Sequence, residues 1–484
     1  MKKHNARGSC PFGIGRREFL LALPGIRLGI ELAMREGDAA PVSKRGNMLT
    51  WGPGHKATPR MKAAFVRRKE EYDFLWPGQG YDGEAARKKY TEQIRQSGRD
   101  IGIDLVLQGQ IIHSIEQARD FAASLKEQNF DAALVVLLDR QKHSWPTAHT
   151  VAETGVPTVV FAPIGAAFTT NVQPLARKPG VFIVSSLDFD AVKYGMKMIK
   201  AAKQMRESRL VVLRGNQEQE SQVENLGATL RTLPLQTFVR LYGETGVTDS
   251  VEKIAKYYTS RARKVVEPSW EDMLNAAKTY VVARNILEKE NGDAITMDCL
   301  GPASRREIPV PCLAWARLND EGIPAGCEAD LYPTLTLMLV SYLFDKPGFQ
   351  QDPVAETVQN TLIGSHCVCA TKLDGLSERP APFNIRSHHS DTGVTVRPIW
   401  RKEQRITIAR FFGPDKMLVS SATVLDNVYT PPAGGCRTAV NVKVDGVSDV
   451  TQYPGFHQIF FYGDHARDLK DYCQLFNIET IEAS

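Results

Sequence analysis

Residues 133–138 read Ala133-Leu134-Val135-Val136-Leu137-Leu138, six apolar positions without a polar break. A strand with water on one face alternates apolar and polar residues, whereas an unbroken run fits a parallel-sheet strand covered by helices on both faces. The sequence on either side repeats the signal. Short β-branched runs at 103–108, 132–139 and 158–162 alternate with helix-length segments such as 114–128. A spacing of about 25 to 30 residues leaves room for one crossover helix each time, as successive parallel strands require. A second series follows, with a strand at 181–184, a helix at 194–205 and strands at 209–213 and 294–297. Between the last two lies a Lys-, Glu- and Ala-rich, largely helical stretch, 247–291.

After residue 356 the pattern changes to alternating strands at 393–399, 405–410, 416–421, 437–444 and 457–462. Turn sequences such as Gly413-Pro414-Asp415 and Thr430-Pro431-Pro432-Ala433-Gly434-Gly435 separate them. The expected fold class is therefore α/β: two Rossmann-like α/β domains followed by a mainly antiparallel, β-barrel-like C-terminal domain. The expected divisions are an extension at 1–47, α/β domains at 48–185 and 186–355, and the β-rich domain at 356–484.

Composition narrows the function classes. The 484 residues are 43% hydrophobic and 24% charged, enough apolar surface for several cores. Lys and Arg total 60 against 55 Asp and Glu, so no dedicated nucleic-acid surface is expected. The apolar run 335–344 contains Thr336 and Ser341 and falls short of the roughly 20 residues that span a bilayer. The N-terminal segment Gly15-Arg16-Arg17-Glu18-Phe19-Leu20-Leu21-Ala22-Leu23 resembles a twin-arginine export signal, although Pro24, Arg27 and Glu31 interrupt its apolar core. The expected location is cytoplasmic, or exported to the periplasm if that signal functions. Cys367 and Cys369 with His366 imitate a soft metal cluster, but they lack the wider loops and four ligands of a tetrahedral zinc site and read as buried, inert thiols.

The chemistry-bearing residues gather late in the chain. Cys327-Glu328-Ala329-Asp330-Leu331-Tyr332-Pro333 precedes the apolar helix at 335–344, with Asp330 reading as the N-cap and Pro333 in the first turn. Glu328 thus stands where a helix dipole favours a carboxylate. Asp352 follows the turn after the same helix, which can bring the two acids to one cleft. His457 enters an apolar strand after a glycine turn, and His366 stands near the start of the β region. His388-His389 lies in a polar loop, either surface or substrate-facing, and Asp464-His465 reads as a solvated turn.

The segment Leu318-Asn319-Asp320-Glu321-Gly322-Ile323-Pro324-Ala325-Gly326-Cys327-Glu328-Ala329-Asp330 resembles one in the L-fucose isomerase and L-arabinose isomerase superfamily, especially its fucose isomerase C-terminal-like members. Asp352, Ser365-His366-Cys367, the strand pair at 395–410, Cys436-Arg437-Thr438 and His457 continue the likeness. Phe456 and Gln458 depart from it, since members usually place a second His or an Asn beside the last histidine.

The resemblance implies an aldose–ketose isomerase that uses a divalent cation, usually Mn²⁺, held by Glu328, Asp352 and His457. Glu328 and Asp352 would also move the proton, while His366 would be a further ligand or would bind a sugar hydroxyl beside His388 and His389. The substrate would be a monosaccharide of the fucose or arabinose type and the assembly a homo-oligomer, hexamer or trimer. Two carboxylates and an imidazole suit such a cation, and charge developing on an enediol needs stabilisation of that kind. Competing readings are a non-catalytic, periplasmic receptor-like sugar-binding protein and a metal-dependent lyase or epimerase.

Overall fold

The computed structural model describes residues 52–70, 74–75, 79–140, 143–390, 393–429 and 435–482. The twin-arginine-like stretch lies outside them. The first sheet has the order Asp104–Leu107, Arg60–Val66, Ala132–Leu137, Thr158–Pro163, Val181–Ser186, all parallel. In chain order this is 2-1-3-4-5, a doubly wound arrangement with helices on both faces. The unbroken apolar run behaves accordingly. Leu134 and Val136 pack with Phe65, Phe161 and Met196 on one face, and Val135 and Leu137 pack with Phe121, Trp145 and Val151 on the other.

The sequence reading missed the interior strand Arg60–Val66, because Lys62 interrupts Met61-Lys62-Ala63-Ala64-Phe65-Val66. Lys62 is buried nonetheless and donates from Nζ to Ser124 Oγ at 2.7 Å. The second sheet runs Ala325–Cys327, Ala294–Met297, Arg209–Leu213, Thr229–Leu233, Gln219–Gln222, parallel except at its last pairing. The helical stretch expected at 247–291 is two helices, Asp249–Arg261 and Trp270–Glu290, separated by the short strand Lys264–Val265.

Six antiparallel strands close a barrel: Arg405–Gly413, Gln458–Tyr462, Phe349–Glu356, Thr361–His366, Thr438–Val444 and Lys416–Asn427, the last pairing back onto the first. Phe349, Ile406, Ile408, Val440 and Phe460 are buried in its core with Trp400. Val394–Pro398, expected among the barrel strands, instead pairs with Phe383–Ser387 and, through it, Lys264–Val265. Glu267 holds that arrangement by accepting from Arg386 Nε at 2.7 Å and from the Ser387 N–H at 3.2 Å.

The helix Leu331–Phe344 is buried along almost its whole length, as an element apolar all round must be. It packs against the helix Asp190–Glu207 and the barrel strand Arg405–Gly413. Its polar residues have local partners. Thr336 Oγ1 donates to the Tyr332 carbonyl at 2.8 Å and accepts from the Phe411 N–H of the barrel at 2.9 Å. Among the described residues no helix is long and apolar enough to cross a membrane.

Candidate metal centre

Glu328 follows the carboxyl end of Ala325–Cys327, the edge strand of the second sheet. That end of a parallel sheet is where open α/β folds bind ligands. Side chains satisfy what a further strand would. Asn319 Oδ1 accepts from the Ala325 N–H at 3.0 Å, and its Nδ2 donates to the Ala325 carbonyl at 2.9 Å. Trp315 Nε1 donates to the Gly326 carbonyl at 2.6 Å, and Gln350 Oε1, from the barrel, accepts from the Cys327 N–H at 2.9 Å. A Cβ on Gly326 would lie 2.0 Å from Thr334 Oγ1, so only glycine lets the helix Leu331–Phe344 approach this strand so closely.

Replacing Asn319 by Ala would strip both Ala325 backbone groups of these buried partners. The expected cost is about 1–3 kcal/mol, read as a lower urea midpoint with unchanged slope. An unchanged midpoint would mean that the strand edge is held by other contacts.

The chain then turns sharply, with Glu328 at φ 61° and Ala329 at φ 54°. Two successive left-handed non-glycine residues cost of order 1–3 kcal/mol each and persist only where the surroundings hold them. Here the Ala329 N–H donates to the Met297 carbonyl at 3.1 Å and the Asp330 N–H to the Cys327 carbonyl at 3.2 Å. His457, at φ 51°, is strained in the same way. It follows Gly455, whose φ is 89° and where a Cβ would meet the Phe412 ring at 2.5 Å.

The barrel supplies the remaining groups. Gln351 on Phe349–Glu356 pairs with Gln458, and Asp352 pairs with Ser365 on the other side. Asp352 therefore stands between His457 and the Ser365–His366 end of the neighbouring strand. His457 Nε2 is 3.1 Å from Asp352 Oδ1 and 3.5 Å from Glu328 Oε2, and His366 Nε2 is 3.7 Å from Glu328 Oε1. Donor atoms of Glu328, His366 and His457 all lie within 4.8 Å of one another.

Asp330 differs from its expected role. The helix begins directly after it, but its side chain makes no capping bond. Its Oδ2 accepts from His457 Nδ1 at 3.0 Å, and the Arg410 guanidinium lies 3.8 Å from the same oxygen. A carboxylate that holds the Nδ1 proton leaves the Nε2 lone pair for a cation, the usual way a ligating histidine is oriented. His366 is set differently, because its Nδ1 accepts from the Val368 N–H at 3.4 Å.

The residues fit a divalent cation. His457 Nε2 and Asp352 Oδ1 are buried and form an ion pair with each other at 3.1 Å, with no well-aligned hydrogen bond from any other group among the described residues. Buried polar atoms left in that state call for an explanation such as an ion. Oxygen donors with imidazole nitrogen match a hard or borderline cation.

Without a cation, burial pulls the His457 imidazolium toward deprotonation, but Asp330 and Asp352 outweigh it and the pKa rises to about 9. The His366 imidazole 3.7 Å away, opposed by burial, holds the Glu328 carboxyl below its ordinary range. The structure splits the expected polar pair His388-His389. His388 is buried with Nδ1 2.7 Å from Ser390 Oγ, and burial, then the charges of His389 and His366, push it down to about 3, leaving it neutral. His389 is exposed and its ring lies 3.9 Å from that of His388. His465, read as part of a solvated turn, is half-buried, its ring stacked 4.4 Å from Phe344 and its Nδ1 3.0 Å from Asp468 Oδ2.

Fold and site together define an α/β protein whose second sheet and barrel bring acidic and imidazole side chains to one candidate metal-binding group. No family model matches the chain. It is similar to a sulfoquinovose isomerase, a sugar isomerase from Clostridium sp. (strain MSTE9), at 25% identity over 276 residues, 52% of this chain. The match spans 61% of the length of that relative. An ABC transporter solute-binding protein from Burkholderia multivorans overlaps 52% of this chain and 85% of its own at 10% identity, with a TM-score of 0.19, too low to carry an argument.

Proposed function

We propose that the chain is a divalent-metal-dependent aldose–ketose isomerase that works through an enediol. The observation that carries this reading is the convergence of Asp352 Oδ1 and Glu328 Oε2 on the buried His457 Nε2, at 3.1 and 3.5 Å. The similarity to a sulfoquinovose isomerase supports the same reaction class. Glu328, Asp352 and His457 would hold the cation, with Mn²⁺ the favoured ion. When bound it would stabilise negative charge developing on the two sugar oxygens next to the reacting carbons.

The chain's own groups do the rest. Glu328 and Asp352 both lie beside His457 Nε2, at 3.5 and 3.1 Å, so one can take the proton from a sugar carbon while the other returns it to its neighbour. Glu328, held ionised, suits the base. Asp330 fixes the His457 ring, and His366 would meet a sugar hydroxyl or serve as a further ligand. His388, neutral, can donate to or accept from the substrate with His389. The substrate class is a monosaccharide of the fucose or arabinose type, or an aldose carrying a sulfonate as the relative's name indicates. Assembly as a homo-oligomer, hexamer or trimer, belongs to the same proposal.

The test is incubation in D₂O with a panel of aldoses, sulfoquinovose included, with Mn²⁺ or with EDTA, followed by NMR. Ketose formation with deuterium at C1 or C2 is expected only with Mn²⁺. Folded, Mn²⁺-loaded protein that exchanges no proton in any sugar would overturn the reading.

A further inference from the structure

A second cluster of ligating side chains lies one residue beyond His366. Cys367 follows the barrel strand Thr361–His366, Cys436 precedes the strand Thr438–Val444, and His389 comes from the loop after Phe383–Ser387. Cys367 Sγ is 3.5 Å from His389 Nδ1, and the donor atoms of all three residues lie within 4.8 Å of one another. A tetrahedral ion with bonds of about 2.0 Å to nitrogen and 2.3 Å to sulfur needs donor separations of about 3.5 to 3.8 Å. The Cys367–His389 separation already has that value, and Cys436 stands within reach of both.

We propose that Cys367, Cys436 and His389 form a binding site for one thiophilic cation of the Zn²⁺ class. Two sulfurs and one imidazole select a softer ion than the carboxylate-rich group at Glu328, so the two centres would sort different metals by ligand chemistry. Three protein ligands, one exposed and one half-buried, leave the fourth position open to water or a small ligand. Each thiol releases its proton to solvent as it ligates. Cys369, grouped with Cys367 from the sequence, takes no part, since it is buried in the barrel core among Leu373, Phe349 and Trp400. A cation here would also pin the backbone next to His366. The proposal needs none of Glu328, Asp352 and His457 and shares with the isomerase reading only His389, placed there as a substrate contact, so Cys436→Ser is the variant that tests it alone.

The probe is Cd²⁺, added to reduced, metal-stripped full-length protein and followed by the ultraviolet thiolate-to-cadmium band. One equivalent per chain is expected to give the band, with Mn²⁺ not competing. Cys436→Ser should weaken Cd²⁺ binding by at least about tenfold, and His389→Ala should weaken it while the band persists. Cys367 is buried, so Cys436→Ser decides the matter if Cys367→Ser fails to fold. A native protein without the band, a band undiminished in Cys436→Ser, or a Cys367–Cys436 disulfide that persists in reductant would each overturn the proposal. Mn²⁺ binding, read separately by electron paramagnetic resonance, keeps failure of the isomerase reading distinguishable from failure of this one.

Discussion

Glu328→Gln is expected to lower turnover of a responsive aldose by about a thousandfold or more, since positioned acid–base groups alone contribute roughly 10²–10⁴ and a ligand charge is lost with the base. The substitution is nearly isosteric and leaves the backbone bonds from Ala329 and Asp330 in place. Thermal stability should therefore stay near the native value, which separates loss of chemistry from loss of fold. Saturating Mn²⁺ divides the two roles. Activity that returns at high Mn²⁺ would make Glu328 a ligand only, whereas persistent inactivity with bound Mn²⁺ would make it the base as well. Full activity at ordinary Mn²⁺ would remove Glu328 from the mechanism.

Much of the scaffold was legible because burial on two faces leaves a mark in the sequence. The strands Arg209–Leu213 and Ala294–Met297 lie where their apolar runs end, and the first sheet's continuous runs do face two cores. Arg60–Val66 was hidden because a buried lysine with a side-chain partner looks like a solvent-facing one in sequence. Val394–Pro398 was legible as a strand but not as a member of a separate sheet, since pairing partners are a long-range property.

The candidate site divides similarly. The resemblance grouped Glu328, Asp352 and His457; in the structure His457 Nε2 lies 3.5 Å from Glu328 and 3.1 Å from Asp352, while the group whose donor atoms all lie within 4.8 Å of one another is Glu328, His366 and His457. Asp330 carried two readings at once, because an acid before a helix is a good N-cap by sequence, and only the fold shows His457 drawing its carboxylate away. Gln350, which ties the barrel to the Cys327 peptide, and Arg410, which faces Asp330, had no signal beyond polar residues in strands. The thiol cluster was missed because Cys369 is next to Cys367 in sequence while Cys436 and His389 are next to it only in space.

Asp330→Asn should weaken Mn²⁺ binding about 10–100-fold, the usual effect of removing the partner that orients a ligating histidine. The pH dependence of that loss follows from His457. Burial favours its neutral form, but Asp330 and Asp352 raise it from 6.5 to about 9, so the metal-free protein carries the proton at neutral pH. The stabilisation from this charged pairing is fully present below 6.5 and is lost as pH rises through about 9. A cation must displace the proton, so native Mn²⁺ affinity should climb with pH by up to about tenfold per unit and level off above 9. In Asp330→Asn one of the interactions that raise the pKa is gone, so the plateau should begin at lower pH. Proton competition is then weaker near neutrality and partly masks the loss of orientation, whereas above 9 only that loss remains. The deficit relative to native protein should therefore widen as pH rises, as Mn²⁺ titrations followed by electron paramagnetic resonance can show. A deficit that is constant with pH would mean that Asp330 does not control the His457 proton, and equal affinities throughout would mean that it does not orient the ring.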